Sequence, residues 1–357
     1  MSKVAIVGAG FMGSAMAWPL SDRGHDVRLV GTHLDQDIIA SCRRKNWHPK
    51  LKRPLLTGVK PYAIEELPQA LEGVELIIQG VSSPGVLWAA EKLTPYLDPR
   101  VPVIAITKGL ALDEAGSLQV LPDYFNSHLP DKIRSRIPLA AIGGPCIAGE
   151  LAGRRNTCVV FASRDEVLLR RLAGLLQTDY YHVWISSDLV GVEICTALKN
   201  AFVLGIALST GVLETSGGPD AAQAYTHNLA AALFAEAAYE MEKIVLAAGG
   251  DRRSICNLPG VGDMYVTAQG GRTVRLGTLL GRGLPIAEAL HHLAGVTLES
   301  VETLRVMHSA LPILEGTGKV RTDEVPLLWH LSQIVAEGKP VDIPWDRFFG
   351  GSQRGRR

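Results

Sequence analysis

The stretch KVAIVGAGFMGSAMAWPL, residues 3–20, decides the fold. Lys3–Val7 is a short apolar run, glycines follow at 8, 10 and 13, and a helical pattern continues to Leu20. A strand that ends in Gly-x-Gly-x-x-Gly and opens a helix is the sequence form of a βα turn shaped for a dinucleotide pyrophosphate. Gly8 permits the tight turn, Gly10 lets the backbone approach the phosphates, and Gly13 lets the helix pack against the sheet. The first N–H groups of the helix then face the phosphates, with the positive end of its dipole. A second apolar run, residues 26–30, arrives at the distance expected for the next strand.

The same texture extends outward. Apolar runs at residues 75–81, 101–106, 137–142, 157–161 and 180–185 alternate with helical patterns such as 86–96 and 167–176. Alternation of this kind, with continuous rather than every-other apolar strands, predicts a parallel sheet wrapped by helices. From about residue 189 strand signals stop, and helices are expected at 189–213, 219–248, 273–281, 285–293, 297–309 and 324–335, with loops at 215–219 and 249–263. The expected fold class is therefore α/β: an N-terminal Rossmann-type, doubly wound parallel sheet over residues 1–188 plus a C-terminal all-helical domain over 189–345. Residues 346–357 are expected to be a flexible tail. Sites in such proteins lie at the carboxyl ends of the strands, in the crevice between domains.

Composition narrows the class of partner. The chain of 357 residues is longer than one core usually organises, and with 47% hydrophobic and 20% charged residues it is no disordered polymer. Thirty-six basic residues balance 36 acidic ones, so nothing points to nucleic acid or an anionic membrane. Five cysteines form no CxxC pair, which fits a reducing cytoplasm and gives no metal-ligand spacing. The longest apolar stretch, 201–213, is too short to span a bilayer, and no signal peptide is expected before the first strand.

Cofactor choice is read at the end of the second strand. NAD sites usually carry an acid there for the ribose 2′-hydroxyl. Here the sequence is Gly31-Thr32-His33, and the first acid, Asp35, comes later. Thr32 and His33 are placed to face a 2′-phosphate, with Arg43 or Arg44 as more distant helpers, so NADP is favoured weakly over NAD.

Three further places carry chemistry. On the apolar helix at 190–208, Glu193, Thr196, Lys199 and Asn200 fall within an arc of about 120°. Lys199 either snorkels to the surface or faces a cleft, and Asn200 beside it favours the cleft. Such an ammonium suits carbonyl reduction, because it stabilises the negative oxygen left by hydride delivery and then donates a proton. Lys108 follows a strand's carboxyl end, where an exposed loop lysine is the ordinary reading. In the glycine-rich stretch 260–273, Arg272 stands beside the N–H groups of a helix start, an arrangement suited to phosphate. Asp263 there either orients a cation or merely caps a turn.

Taken together, GAGFMG (8–13), TKGL (107–110), GGPCIAGE (143–150), ALKN (197–200) and GVGDMYVTAQGGRT (260–273) resemble, in order and spacing, the NAD(P)-dependent glycerol-3-phosphate dehydrogenases. GTHLD (31–35) and the GGR form of the last loop are most similar to the archaeal-type branch. The resemblance covers about residues 3–340 and implies reversible reduction of dihydroxyacetone phosphate to sn-glycerol 3-phosphate, a homodimer, and a place in phospholipid biosynthesis. It implies that Lys199 is the general acid, that Lys108 holds substrate and charge beside it, and that Asp263 and Thr267 orient the ammonium. Arg272 would grip the substrate phosphate and reach the cofactor, with Asn200 and Thr273 also on the substrate. Gly8, Gly10, Phe11, Met12, Gly13, Thr32 and His33 would hold the cofactor. The family commonly has Asn where this chain has Thr273, and a larger polar residue at Gly149. A related ketose or polyol phosphate is therefore an alternative substrate, and the tail after Phe348 matches nothing in the family. Two other readings share the two-domain plan: a dehydrogenase of an opine or 2-hydroxy acid, and a non-catalytic dinucleotide sensor, which would not need Lys108, Lys199 and Asp263 together.

Overall fold

A computed structural model describes residues 1–350 of the chain. Two compact units form, one of Met1–Lys108 with Leu121–Leu189, the other of Gly109–Val120 with the chain from Val190 on. The single boundary expected at 188 thus misses one segment. Leu110–Leu112 and Leu118–Val120 pair as an antiparallel hairpin, and its buried Leu110 and Val120 join the hydrophobic core of the helical unit.

The first unit is built on an eight-stranded sheet. Its spatial order is Tyr181–Ser186, Thr157–Ala162, Leu139–Gly143, Val103–Ala105, Leu76–Gln79, Lys3–Val7 (β1), Asp26–Val30 (β2) and Val59–Tyr62. Chain order reverses beside β1, which is the doubly wound arrangement expected. At that switch point strand ends splay their connections apart and leave room for a ligand. The central strands are buried on both faces, which is why they read as unbroken apolar runs.

Two details depart from the sequence reading. The edge strand Val59–Tyr62, parallel to β2, was not expected. Its Pro61 lowers its strand signal, yet an edge position tolerates proline because one side needs no ladder hydrogen bond. The sheet is also not wholly parallel, since Leu139–Gly143 and Thr157–Ala162 are antiparallel. The connection between them holds only the short helix Ala148–Ala152, and it starts and ends at the same edge of the sheet, so no crossover is needed.

In the second unit the helices run Leu189–Thr215, His227–Ala247, Asp263–Ala268, Arg272–Gly281, Ile286–His292, Glu299–Gly316 and Pro326–Glu337. The first has the length and apolarity of a membrane-crossing helix, but 94% of its apolar window is buried inside the protein, so it is the central helix of this unit. The helix expected from 219 begins only at His227. Gly217 and Gly218 take positive φ, and the Asp220 carboxylate accepts hydrogen bonds from the N–H groups of Ala222 and Ala224, closing a turn instead.

Glycines bring the central helix against Arg272–Gly281. A Cβ at Gly277 would stand 2.4 Å from the Leu204 carbonyl oxygen, one at Gly281 2.2 Å from that of Leu208, and one at Gly211 2.2 Å from that of Thr278. The two backbones therefore touch directly, which fixes the helix carrying Arg272 relative to the helix carrying Lys199.

One buried acidic pair shapes the C-terminal end. Glu240 accepts hydrogen bonds from the N–H groups of Leu327 and Leu328 at 2.6 and 2.7 Å, at the start of Pro326–Glu337. One turn away, Glu236 accepts from the Phe349 N–H at 2.9 Å. Within the segment expected as a flexible tail, the Phe349 N–H is thus tied down and Phe348 is buried in the core, while Asp346, Arg347 and the Phe349 side chain are exposed. Residues 351–357 of that tail lie outside the described residues.

Burial raises both glutamates above the ordinary 4.5, so the folded protein keeps a proton that the unfolded chain releases. Stability from this pair is full at acid pH and falls as pH rises from 4.5 through the folded value. Glu236→Gln replaces one of the two carboxyl groups with an amide that does not titrate. Thermal unfolding from pH 5 to pH 9 should show a flatter pH dependence in the variant, with a higher midpoint than the unaltered chain at the alkaline end.

Candidate active site

The glycine loop after β1 has the shape its sequence implies. Gly8 has φ +113°, and a Cβ there would stand 2.5 Å from the Gly80 carbonyl oxygen across the switch point. A Cβ at Gly13 would stand 2.1 Å from the Gly8 carbonyl oxygen, so only hydrogen fits between helix and turn. At Gly10 no atom lies within 4 Å of a Cβ position, leaving the front of the loop open. The helix that follows, α1 (Phe11–Ala15), has no side-chain cap, and its first N–H groups remain for a ligand. These features fit a dinucleotide.

The other expected cofactor residues divide. Phe11 is 55% exposed at the rim of the loop. Met12 is partly buried, and the Cys146 thiol points at its sulfur at 3.8 Å. Thr32 is buried, and its hydroxyl donates to Asp35 at 2.8 Å. His33 is exposed and packs edge-on against Trp88. Beside Thr32 lies a pocket of about 400 Å³ lined by Gln36, Arg43, Arg44 and Glu65. Arg43 is anchored there by the Pro61 carbonyl and Glu66, and Arg44 by the Ala40 carbonyl. In the same unit Lys108 donates from Nζ to the Gly144 carbonyl at 2.9 Å, tying TKGL to GGPCIAGE.

The helical unit settles the lysine of the polar stripe. Lys199 is 6% exposed, and Glu193, Thr196 and Asn200 are buried with it, so the side chain does not snorkel. Its Nζ lies 2.8 Å from Asp263 Oδ1 and donates to Thr267 Oγ1 at 2.7 Å. Asp263 is 1% exposed. The composition of 249–263 predicts a loop, whereas Leu258–Gly262 forms a π-type turn and Asp263–Ala268 a short helix. Asp263 and Thr267 are four residues apart on that helix and so share a face. The turn needs Gly260, where a Cβ would stand 2.1 Å from the Ile255 carbonyl oxygen.

A second cluster adjoins the first through the chain. Asn200 donates to Glu299 Oε2 at 3.1 Å, and Arg272 reaches Glu299 Oε1 at 3.5 Å. Arg272 is the first residue of Arg272–Gly281, whose N-cap Gly271 has φ +102° and offers no side-chain cap. Uncapped N–H groups and a half-exposed guanidinium are groups whose chemistry suits an anion. Thr273 is buried at the same helix start. The structure thus unites Lys199, Asp263 and Thr267, and links Asn200 to Arg272. Glu299 was not foreseen, since an acid at a helix start reads as a favourable charge for the dipole. Among the described residues no group of three His, Cys, Asp or Glu is placed to hold a metal ion.

Comparison with known proteins gives a consistent picture. The family described as NAD-dependent glycerol-3-phosphate dehydrogenase N-terminus matches residues 3–169, and the corresponding C-terminus family matches residues 188–345. An NADP(+)-dependent glycerol-3-phosphate dehydrogenase of Archaeoglobus fulgidus is 34% identical over 339 residues, which cover 95% of this chain and 96% of that protein. A glycerol-3-phosphate dehydrogenase [NAD(P)+] of Desulfitobacterium hafniense is 31% identical over 96% of this chain and 94% of its own length. The crystal structure of glycerol-3-phosphate dehydrogenase from Coxiella burnetii superposes with a TM-score of 0.79 at 25% identity, covering 95% and 96% of the two chains.

Removing the charge of Asp263 takes from the buried ammonium the carboxylate it touches at 2.8 Å. Asp263→Asn should lower the unfolding free energy at neutral pH by up to roughly 3–5 kcal/mol, read by urea denaturation, and should depress turnover as well.

Proposed function

Because the chain belongs to the NAD-dependent glycerol-3-phosphate dehydrogenase family, we propose that it reduces dihydroxyacetone phosphate to sn-glycerol 3-phosphate, reversibly, with NADPH or NADH. The observation that carries this reading is the buried Lys199, held by Asp263 and Thr267 one residue away from an asparagine that shares Glu299 with Arg272.

The roles follow from the chemistry of each group. When bound at the glycine loop, the reduced nicotinamide cofactor supplies the hydride. Lys199 is the general acid: its ammonium stabilises the negative charge that develops on the ketone oxygen and passes a proton to it. Asp263 and Thr267 orient that ammonium. Arg272, with the N–H groups at the start of its helix, grips the substrate phosphate and also contacts the cofactor. Asn200 and Thr273 contact the substrate, and Lys108 supplies a second positive charge to it. The first unit holds the dinucleotide through Gly8, Gly10, Gly13 and the backbone of Phe11 and Met12, and the second carries Lys199, Asp263, Thr267, Arg272, Asn200 and Thr273. We also propose that the enzyme is a cytoplasmic homodimer.

A preference for NADP is supported by the inward-facing Asp35, which is not presented to a ribose 2′-hydroxyl, and by the arginine-lined pocket beside Thr32. The relative from Archaeoglobus fulgidus is NADP(+)-dependent.

The test is oxidation of NADPH and NADH at 340 nm with dihydroxyacetone phosphate, other ketose phosphates and 2-oxo acids. Dihydroxyacetone phosphate with NADPH should be the best pair. Faster turnover of another ketose phosphate would move the substrate, as Thr273 in the place of the family's Asn allows, and turnover of 2-oxo acids alone would overturn the proposal. Lys199→Ala should lose about a hundredfold to ten-thousandfold in kcat while still binding NADPH. Arg272→Ala should raise the Michaelis constant for the phosphorylated ketone by about tenfold to a hundredfold, the loss expected for a charge-assisted hydrogen bond.

A further inference from the structure

Ala9 lies between the first two glycines of the loop, and side chains from two other segments hold both of its peptide groups. Asp35, buried just beyond β2, accepts from the Ala9 N–H at 3.2 Å with the same oxygen that takes the Thr32 N–H at 3.0 Å and the Thr32 hydroxyl at 2.8 Å. His48 is fully buried in the Trp47–His48 strand of a small ribbon with Arg53–Pro54. Its Nδ1 accepts the Leu51 N–H at 3.0 Å, which places the ring hydrogen on Nε2. Nε2 then donates toward Ser14 Oγ at 2.8 Å, on α1, and toward the Ala9 carbonyl at 3.3 Å.

A βα turn needs neither contact in order to fold, since glycines at 8, 10 and 13 already satisfy its sterics. What the contacts add is orientation. The Ala9 N–H is committed to the buried Asp35, and the Ala9 carbonyl to the buried His48. Gly10 follows directly, and Ser14 binds α1 to the same imidazole. Burial lowers the basicity of His48, nearby Lys50 does the same, and the Ala9 carbonyl and Asp35 oppose them. The neutral ring is also the form that the Leu51 N–H requires, because a protonated Nδ1 would face a donor.

We propose that Asp35 and His48 are positioning residues for the dinucleotide: together they clamp Ala9 so that the amides opening α1 are preset toward the pyrophosphate. The proposal rests on the dinucleotide reading of the first unit. It also gives Asp35 a task different from that of an acid reading a ribose hydroxyl.

The experiment titrates NADPH into the full-length protein, followed by nicotinamide fluorescence, for Asp35→Ala, Asp35→Asn, His48→Leu and His48→Gln. Asp35→Ala and His48→Leu should weaken NADPH by about tenfold or more, while Asn, which keeps the acceptor, and Gln, which keeps a donor, should recover most of the affinity. The split should fall on the cofactor: its Michaelis constant rises, while that for dihydroxyacetone phosphate stays within about twofold. Unchanged NADPH affinity in both truncated variants would overturn the clamp, and so would equal losses in Asn and Ala and in Gln and Leu. Should the truncated variants not fold, hydrogen exchange on the unaltered protein decides. The Ala9 amide should exchange slowly without NADPH and change little on its addition, while the Phe11 and Met12 amides slow when it is added. A fast-exchanging Ala9 amide would overturn the proposal. Failure of the unaltered protein to bind NADPH would instead overturn the dinucleotide reading itself.

Discussion

An ammonium and a carboxylate cannot both leave water unless they meet, and the pairing of Lys199 with Asp263 is the constraint that organises the helical unit. Each charge alone would carry a desolvation penalty of several kcal/mol. Their 2.8 Å contact therefore fixes where the short helix Asp263–Ala268 must lie against the central helix. The flanking backbone is shaped to allow it. Gly260 folds the π-type turn onto Ile255 just before Asp263, and the glycines at 211, 277 and 281 let Arg272–Gly281 touch the central helix without side chains between them. The Arg272 guanidinium and the Lys199 ammonium are thus carried on helices whose backbones touch.

The first unit solves a related problem with neutral groups. Its fingerprint loop presents amides to a negatively charged ligand, so those amides must be unsatisfied by the protein yet correctly aimed. The loop achieves this by satisfying the peptide groups that should not face the ligand. Asp35 and His48 reach Ala9 from 26 and 39 residues further along the chain.

Legibility followed locality. The glycine fingerprint and the polar stripe at Glu193, Thr196, Lys199 and Asn200 are written within single elements, and their period alone placed them. Val59–Tyr62 was invisible because Pro61 contradicts a strand until its edge position is known. The antiparallel pairing of Thr157–Ala162 depends on how a connection returns, which no local pattern records. Asp263 and Thr267 looked like loop residues because Gly260 and Gly262 weaken any helical signal around them. The family resemblance, not any local pattern, pointed to their place beside Lys199, and the π-type turn supplies the geometry. Glu299 and His48 gave no functional signal, since a helix-start acid and a lone histidine each have ordinary structural explanations. Only the three-dimensional convergence on Asn200, Arg272 and Ala9 distinguishes them.

The hairpin Leu110–Val120 makes the chain enter the helical unit twice, once for a dozen residues and again after Leu189. The two units are therefore interlaced in sequence, and no single scission separates them. A fragment ending at 188 would carry an orphan ribbon with Leu110 and Val120 bared to water, and the complementary fragment would contain a vacant slot beside Ile313, where Gly116 otherwise rests. Dissection of this protein into independently folding halves calls for excising the ribbon and grafting it onto the helical portion.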